Sequence, residues 1–365
     1  MRASTHLSIL IIALWASVLF LPFKGLKASL ILFVSVLIAG LLLKPLREGL
    51  KGLKWKIKLP PIPVKFLIPF IIAGALVIPL IFSDYVIDVA ILAGIYIILA
   101  LGLNVVVGFA GLLNLGFAAF YAIGAYSFAL IGVKWGIGFW SALPLSLALT
   151  TASGFIMGAP GLRLRGDYLA IVTLGFGEIT RLVLNNWDSF TNGPNGIAGI
   201  QRPYLMDIPL TGLAGYYYVV LISVLFSVFI IKRVHSSRIG RAWIAIREDE
   251  IAAGSMGINT TAYKLYAFAF GAFWAGLAGA LFSAKMQFIS PESFTFMESV
   301  FILCMVILGG MGSIPGVMLG AVILVVLPEL LREIQIYRML ALGGGLVLLM
   351  LFRPQGILGG KGVST

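Results

Sequence analysis

Apolar residues fill long stretches of this chain and polar residues fall into short intervals between them. A membrane-crossing helix needs about 20 mostly apolar residues. Twelve stretches approach that length, at about 7–23, 28–43, 66–83, 88–107, 112–133, 138–159, 167–184, 212–232, 263–284, 297–310, 313–331 and 335–352. The pattern predicts an all-α, polytopic membrane helix bundle of about 10–12 transmembrane or re-entrant segments. Several stretches are short or broken by glycine, and whether the tenth crosses or re-enters is open at this stage. The first, Leu7 to Phe23, follows Arg2 without a small-x-small cleavage site, and it reads as a retained helix.

One long polar interval interrupts the carboxyl half, from His235 to Lys264. Arg238, Arg241 and Arg247 precede the acidic triplet Glu248, Asp249 and Glu250, which the pattern places in the first turn of a short helix through Ala252 and Ala253. Gly257 is positioned to end that helix, and Asn259 with Thr260 and Thr261 to cap the next. Two readings stand: a solvated, positively charged loop, or an element that drives the bundle.

Composition changes the picture only by confirming the solvent. Sixty per cent of residues are hydrophobic and 11% charged, and mean hydropathy is +1.07, far from soluble domains. A net charge of +12 would suggest nucleic acid in a soluble protein. Here the basic residues lie largely between apolar stretches, where they orient helices, so a nucleic-acid role is rejected. With the amino terminus inside, the cytoplasmic side receives Arg2, the seven basic residues between 44 and 65, Arg163 and Arg165, the six between 232 and 264, and Arg353 and Lys361. That is 18 of 26. Both termini and the polar interval are therefore expected in the cytoplasm. The lysine-rich stretch ending Leu59-Pro60-Pro61-Ile62-Pro63 reads as a boundary, giving an amino-terminal hairpin and basic linker over 1–65, a main body over 66–355 and a tail over 356–365.

Candidate chemistry is sparse. Cys304 is the single cysteine and His6 and His235 the two histidines, so neither a disulfide framework nor a Cys/His metal site can be built. Gly359-Gly360-Lys361-Gly362 is the nearest approach to a phosphate loop, but Gln355 takes the first glycine position and Gly362 the hydroxyl position. Any nucleotide energy must come from another chain. Glycines cluster around Asn104 and Asn114 and again around Ser313. Small residues permit close helix packing, or they mark breaks that expose backbone near the bilayer midplane, which makes Asn104, Asn114 and Ser313 candidate pathway residues. Glu178 and Arg181, three apart in an apolar stretch, form either a structural ion pair or a pathway feature. Gly271, Ala272, Ala275, Gly276, Gly279 and Ala280 predict tight helix packing. The outer interval 185–202, rich in Asn, Gly and Pro with Trp187, predicts turns.

Four ordered stretches, LNLGFAAFYAIGAYSFAL, LRLRGDYLAIVTLGFGEITRLVLNNWDSFTNGPNGI, SRIGRAWIAIREDEIAAGSMGINTTAYKLYAFAFGAFWAGLAGAL and ILGGMGSIPGVMLGA, together resemble the LivM-type permease subunits of high-affinity branched-chain amino acid ABC importers. The likeness runs from about residue 85 to 355, outside the first hairpin and linker. It implies a permease domain that translocates leucine, isoleucine or valine by alternating access, without enzymatic activity or a cofactor of its own. It also implies a homologous LivH-type second permease, two cytoplasmic ATPase chains that bind ATP and Mg, and an extracytoplasmic binding protein. Within a loop over 233–262, Arg241, Arg247, Glu248, Glu250, Ala252, Ala253 and Gly257 are expected to couple the chain to the ATPases, since Glu250-Ile251-Ala252-Ala253 with Gly257 is similar to the E-A-A…G loop of such importers. Urea, short amides or other amino acids remain alternative substrates of the same architecture. The competing classes are a lone ion-coupled transporter and a structural membrane subunit.

Overall fold

A computed structural model describes residues 74–161, 166–205, 208–209, 212–330, 343–344 and 356–358. The chain divides into two compact units, Met1–Ile71 and Ile72–Thr365. The first, with the expected hairpin and linker, lies outside the described residues, as does the expected last segment at 335–352 apart from 343–344.

The second unit is a helical bundle. Its helices are α1 (Asp84–Leu103), α2 (Phe117–Trp135), α3 (Phe139–Gly161), α4 (Asp167–Asn186), α5 (Leu213–His235), α6 (Arg238–Glu248), α7 (Glu250–Ser255), α8 (Thr260–Met286), α9 (Phe296–Gly309) and α10 (Ile314–Leu330). Among the described residues six helices are long and apolar enough to cross a membrane: α1 with its π-helical extension Asn104–Phe109, then α2, α3, α4, α5 and α8. The protein is a polytopic membrane helix bundle.

Two helices organise the packing. α8 lies against α1, α2 and α3, while α1 also meets α5, α9 and α10. The contacts of α8 are close because its small residues face its neighbours, as their spacing predicts. A methyl group placed on Gly276 would lie 2.8 Å from Thr150 of α3, and one on Gly124 of α2 would lie 2.7 Å from the Gly276 carbonyl oxygen. Gly102 of α1 takes Trp274 in the same way. In lipid, where apolar side chains gain nothing by leaving the solvent, such close approach supplies the association energy.

α9 occupies the expected tenth segment and is short. Its 14 residues rise only about 21 Å, short of the roughly 30 Å hydrocarbon layer. The chain reaches its start by turning back from the end of α8. Phe288–Ile289 pairs antiparallel with Ile197–Ala198, Ile197 opposite Ile289. Phe294 then buries its ring against Tyr121, with centroids 5.0 Å apart, and against Phe282. The interval 185–202 is an ordered set of turns, with a helical turn at Asp188–Thr191 and a 3-10 turn at Gly193–Asn195. Trp187 is half exposed.

The packing predicts which glycines tolerate a side chain. Gly124→Val and Gly276→Val force backbones apart and should lower stability by about 1–3 kcal/mol. Gly175→Ala, in α4 with open space around it, should be neutral or stabilising by up to about 1 kcal/mol. Thermal unfolding of the detergent-purified variants measures both, and a Gly124→Val protein as stable as the parent would contradict the seam.

Candidate functional site

Two interruptions of helix lie beside each other in the bundle. The first begins where α1 widens into the π-helical turns Asn104–Phe109, after which residues 110–116 are not helical. The second is the turn 310–313 between α9 and α10. Asn104, fully buried, joins them: its Oδ1 accepts from the Gly312 amide at 2.8 Å. Ser313 Oγ caps α10 by accepting from Gly316 N at 3.2 Å. Asn114 Oδ1 accepts from Gly116 N at 2.9 Å. The three candidate pathway residues therefore share one task, which is to satisfy amides that the breaks would strand.

Two further side chains complete that task. Thr173 Oγ1 of α4 accepts from Leu115 N at 3.0 Å, and Ser299 Oγ of α9 accepts from Ala118 N at 2.9 Å. Gly116 crosses Gly177 so closely that a methyl group on Gly177 would touch its Cα at 3.2 Å. Gly177 sits at the middle of α4, so the starts of α2 and α9 converge on the midpoint of a spanning helix. Leu115, Leu174, Gly177, Glu178 and Phe296 meet there, with no room between them for a water molecule. Glu178 and Arg181 form the expected ion pair, with Arg181 Nε and Nη2 donating to Glu178 Oε2 at 3.1 and 2.9 Å. Each side chain keeps about a third of its surface exposed.

The polar connection between α5 and α8 is two helices, where its acidic triplet predicts one. Ser237 Oγ accepts from Ile239 N and starts α6, which runs through Glu248. Glu248 thus ends a helix instead of opening one, and Arg247 Nη2 donates to it at 2.9 Å. The extended backbone of Asp249 makes the break, and its Oδ1 caps α7 by accepting from Ile251 N and Ala252 N. Gly257, at φ +84°, follows α7 in the left-handed conformation that glycine adopts without cost. Asn259 Oδ1 caps α8 at Ala262 N.

Three contacts fasten this pair of helices to the bundle. Trp243, fully buried, donates Nε1 to the Tyr263 carbonyl at 2.7 Å. Lys264, also buried, reaches Glu250 Oε1 at 2.5 Å. Arg247 Nη1 donates to the Gly108 carbonyl at 2.6 Å, directly on the first helix break. Glu250 therefore has a partner in α8, Ala253 is buried, and Arg241 bonds the Ser236 carbonyl at 3.0 Å. What projects from α7 is Ala252 with the apolar Ile251 and Met256, 69% and 83% exposed.

Sequence pattern marks Asn104, Asn114, Ser313 and Arg247 but misses Thr173, Ser299, Trp243 and Lys264, whose partners stand 20 to 181 positions away or across the loop. Each is a single polar or aromatic residue in an apolar run, the only local trace of its role.

No solved structure matches this one. The sequence model of the family described as the permease component of the branched-chain amino acid transport system matches residues 85–352. The chain is 50% identical over 303 residues to the high-affinity branched-chain amino acid transport system permease protein LivM of Salmonella typhimurium strain LT2, covering 77% of this chain and 71% of that one. The LivM protein of Escherichia coli strain K12 gives the same identity and coverage. It is 28% identical over 286 residues to the LivH permease protein of Salmonella typhimurium, covering 72% and 91%. With its helical bundle and a match over most of its length, the chain belongs to the branched-chain amino acid transport permease family.

Proposed function

We propose that this chain is a transmembrane permease subunit of an ATP-driven, binding-protein-dependent importer of branched-chain amino acids in the cytoplasmic membrane. The names of its relatives supply the substrate class. Its likeness to a LivH protein supports a second, homologous permease as partner. In this reading two ATPase chains, which bind ATP and Mg, and an extracytoplasmic binding protein complete the assembly. The α6–α7 connection and both termini face the cytoplasm, in keeping with the distribution of basic residues. Residues 66–355 form the permease domain, with 1–65 and 356–365 as appendages.

The observation that carries the mechanism is the bond from Arg247 to the Gly108 carbonyl. ATP binding closes the two ATPases, and α6–α7 moves with them as one body because Trp243 and Glu250 tie it to α8. Ile251 and Met256 are the apolar projections that enter the ATPase cleft. Arg247 carries the displacement to the unwound end of α1, and Asn104 passes it to the turn before α10. Two packed breaks moving together switch the access of a central pathway, while the binding protein selects the cargo.

Reconstituted with these partners, the chain should support ATP-dependent uptake of labelled leucine that requires the binding protein and that urea does not compete. Competition by urea would move the substrate class. Arg247→Ala removes a charge-assisted bond of about 1.5–3 kcal/mol from the coupling route. Leucine uptake should fall by about tenfold or more while the ATPases still co-purify and hydrolyse ATP; normal uptake would refute the route. Ile251→Asp with Met256→Asp should weaken ATPase co-purification without changing membrane insertion, and an intact complex would place docking elsewhere.

A further inference from the structure

We propose that Lys232, Arg233, Arg238 and Arg241 form a binding site for the headgroup of an anionic lipid, at the place where α5 leaves the membrane and α6 begins. The inference rests on the importer reading for its orientation alone, with the α6–α7 connection in the cytoplasm.

Elsewhere the protein pairs its cations. Arg181, Arg247, Lys264 and Lys285 each bond a carboxylate. The four cations between positions 232 and 241 differ: all are exposed, and among the described residues none bonds a carboxylate. Arg241 Nη1 donates to the Ser236 carbonyl at 3.0 Å, which folds it back towards the last turn of α5. The acids of the same connection cannot neutralise the cluster. Glu248 ends α6, which Arg238 begins, and ten residues of helix separate the two by about 15 Å. Glu250 is taken by Lys264.

The fold fixes these charges at the depth of lipid phosphates. α5 has 23 residues and rises about 34 Å, more than the roughly 30 Å hydrocarbon layer. Its last turn, which carries Lys232 and Arg233, therefore ends among the headgroups. α6 cannot swing away from that level. Gly240 is pressed on the end of α5, where a methyl group would lie 2.2 Å from the His235 carbonyl oxygen, and Trp243 is tied to Tyr263. With Gly240, Ala242, Trp243 and Ile246 buried, α6 leaves Arg238 and Arg241 in the open and Ile239 beside them, 38% exposed. An apolar side chain flanked by cations suits the boundary between acyl chains and phosphates. The inner leaflet carries anionic lipid, and basic clusters at the cytoplasmic end of a spanning helix attract it. The ATPases have their own apolar projections, Ile251 and Met256 of α7, at the other end of the connection. A lipid phosphate held between Arg238 and the last turn of α5 steadies one end of the helix whose other end brings Arg247 to Gly108.

The test counts lipid. The whole complex in detergent is equilibrated with an equal mixture of phosphatidylcholine and phosphatidylglycerol, and the lipid retained after detergent exchange is measured by mass spectrometry. Phosphatidylglycerol should be retained in preference by about tenfold or more, and added salt should erode that preference. Combining Lys232→Gln, Arg233→Gln, Arg238→Gln and Arg241→Gln should lower it by about fivefold or more while the ATPases still co-purify. Lys134→Gln, whose cation sits over the Phe190 ring, should leave it unchanged. Arg238→Lys with Arg241→Lys should also keep it, because a phosphate needs the charge. Equal retention of both lipids by the parent, or an unaltered preference in the fourfold variant, would overturn the proposal. So would displacement of phosphatidylglycerol by millimolar inorganic phosphate, which would give the site to the free ion. Loss of the ATPases from the fourfold variant would assign the patch to them and overturn the lipid site. A complex that retains phosphatidylglycerol in this way but carries no leucine would overturn the importer reading alone.

Discussion

Backbone amides and carbonyls that leave a helix inside a membrane have no water to turn to, so the protein must satisfy them itself. This constraint governs the region around residues 104–116 and 310–313. Irregular chain survives there because Asn104, Asn114, Thr173, Ser299 and Ser313 each accept from a stranded amide, and Arg247 donates to a stranded carbonyl. The donors and acceptors come from separate elements. The breaks are consequently held in place by α4, α6, α9 and by each other, so none can shift without its neighbours.

That interdependence explains why so few polar residues are found in the bundle and why those few converge. A helix break placed alone in an apolar bundle would carry a desolvation cost for every unpaired group. Two breaks placed side by side share partners, as Asn104 does with Gly312. The polar connection between α5 and α8 meets the same place through Arg247, so a surface element reaches the broken helix directly. In the proposed importer this economy puts coupling and translocation within a few residues of each other.

The bundle itself was legible in the sequence because spanning helices must be long and uniformly apolar. The stretches at 138–159, 167–184, 212–232 and 263–284 fall within a few residues of α3, α4, α5 and α8. The small-residue faces of α8 were legible for the same reason, since only close packing gives them a purpose in lipid. Residues 112–116 read as part of a helix because Leu112, Leu113 and Leu115 are as apolar as their neighbours, and nothing local reveals that Thr173 and Ser299 hold their amides. Helix α6 was hidden for a different reason: Arg238, Arg241 and Arg247 drew attention as charges, whereas its buried face of Gly240, Ala242, Trp243 and Ile246 emerges only when it is packed on α8. Glu250 looked outward on sequence grounds because its partner, Lys264, sits in another helix.

The crossing of Gly116 on Gly177 is a contact between two backbones with no side chain interposed. Interlocked side chains resist sliding, because each must leave its slot and change rotamer before it can enter the next. Bare backbone surfaces have no such teeth, so this crossing acts as a bearing. What keeps helix α4 in register with the start of α2 is then the Thr173–Leu115 hydrogen bond beside the crossing. Resistance to sliding is greater where the large side chains of Trp274 and Phe294 are wedged among their neighbours.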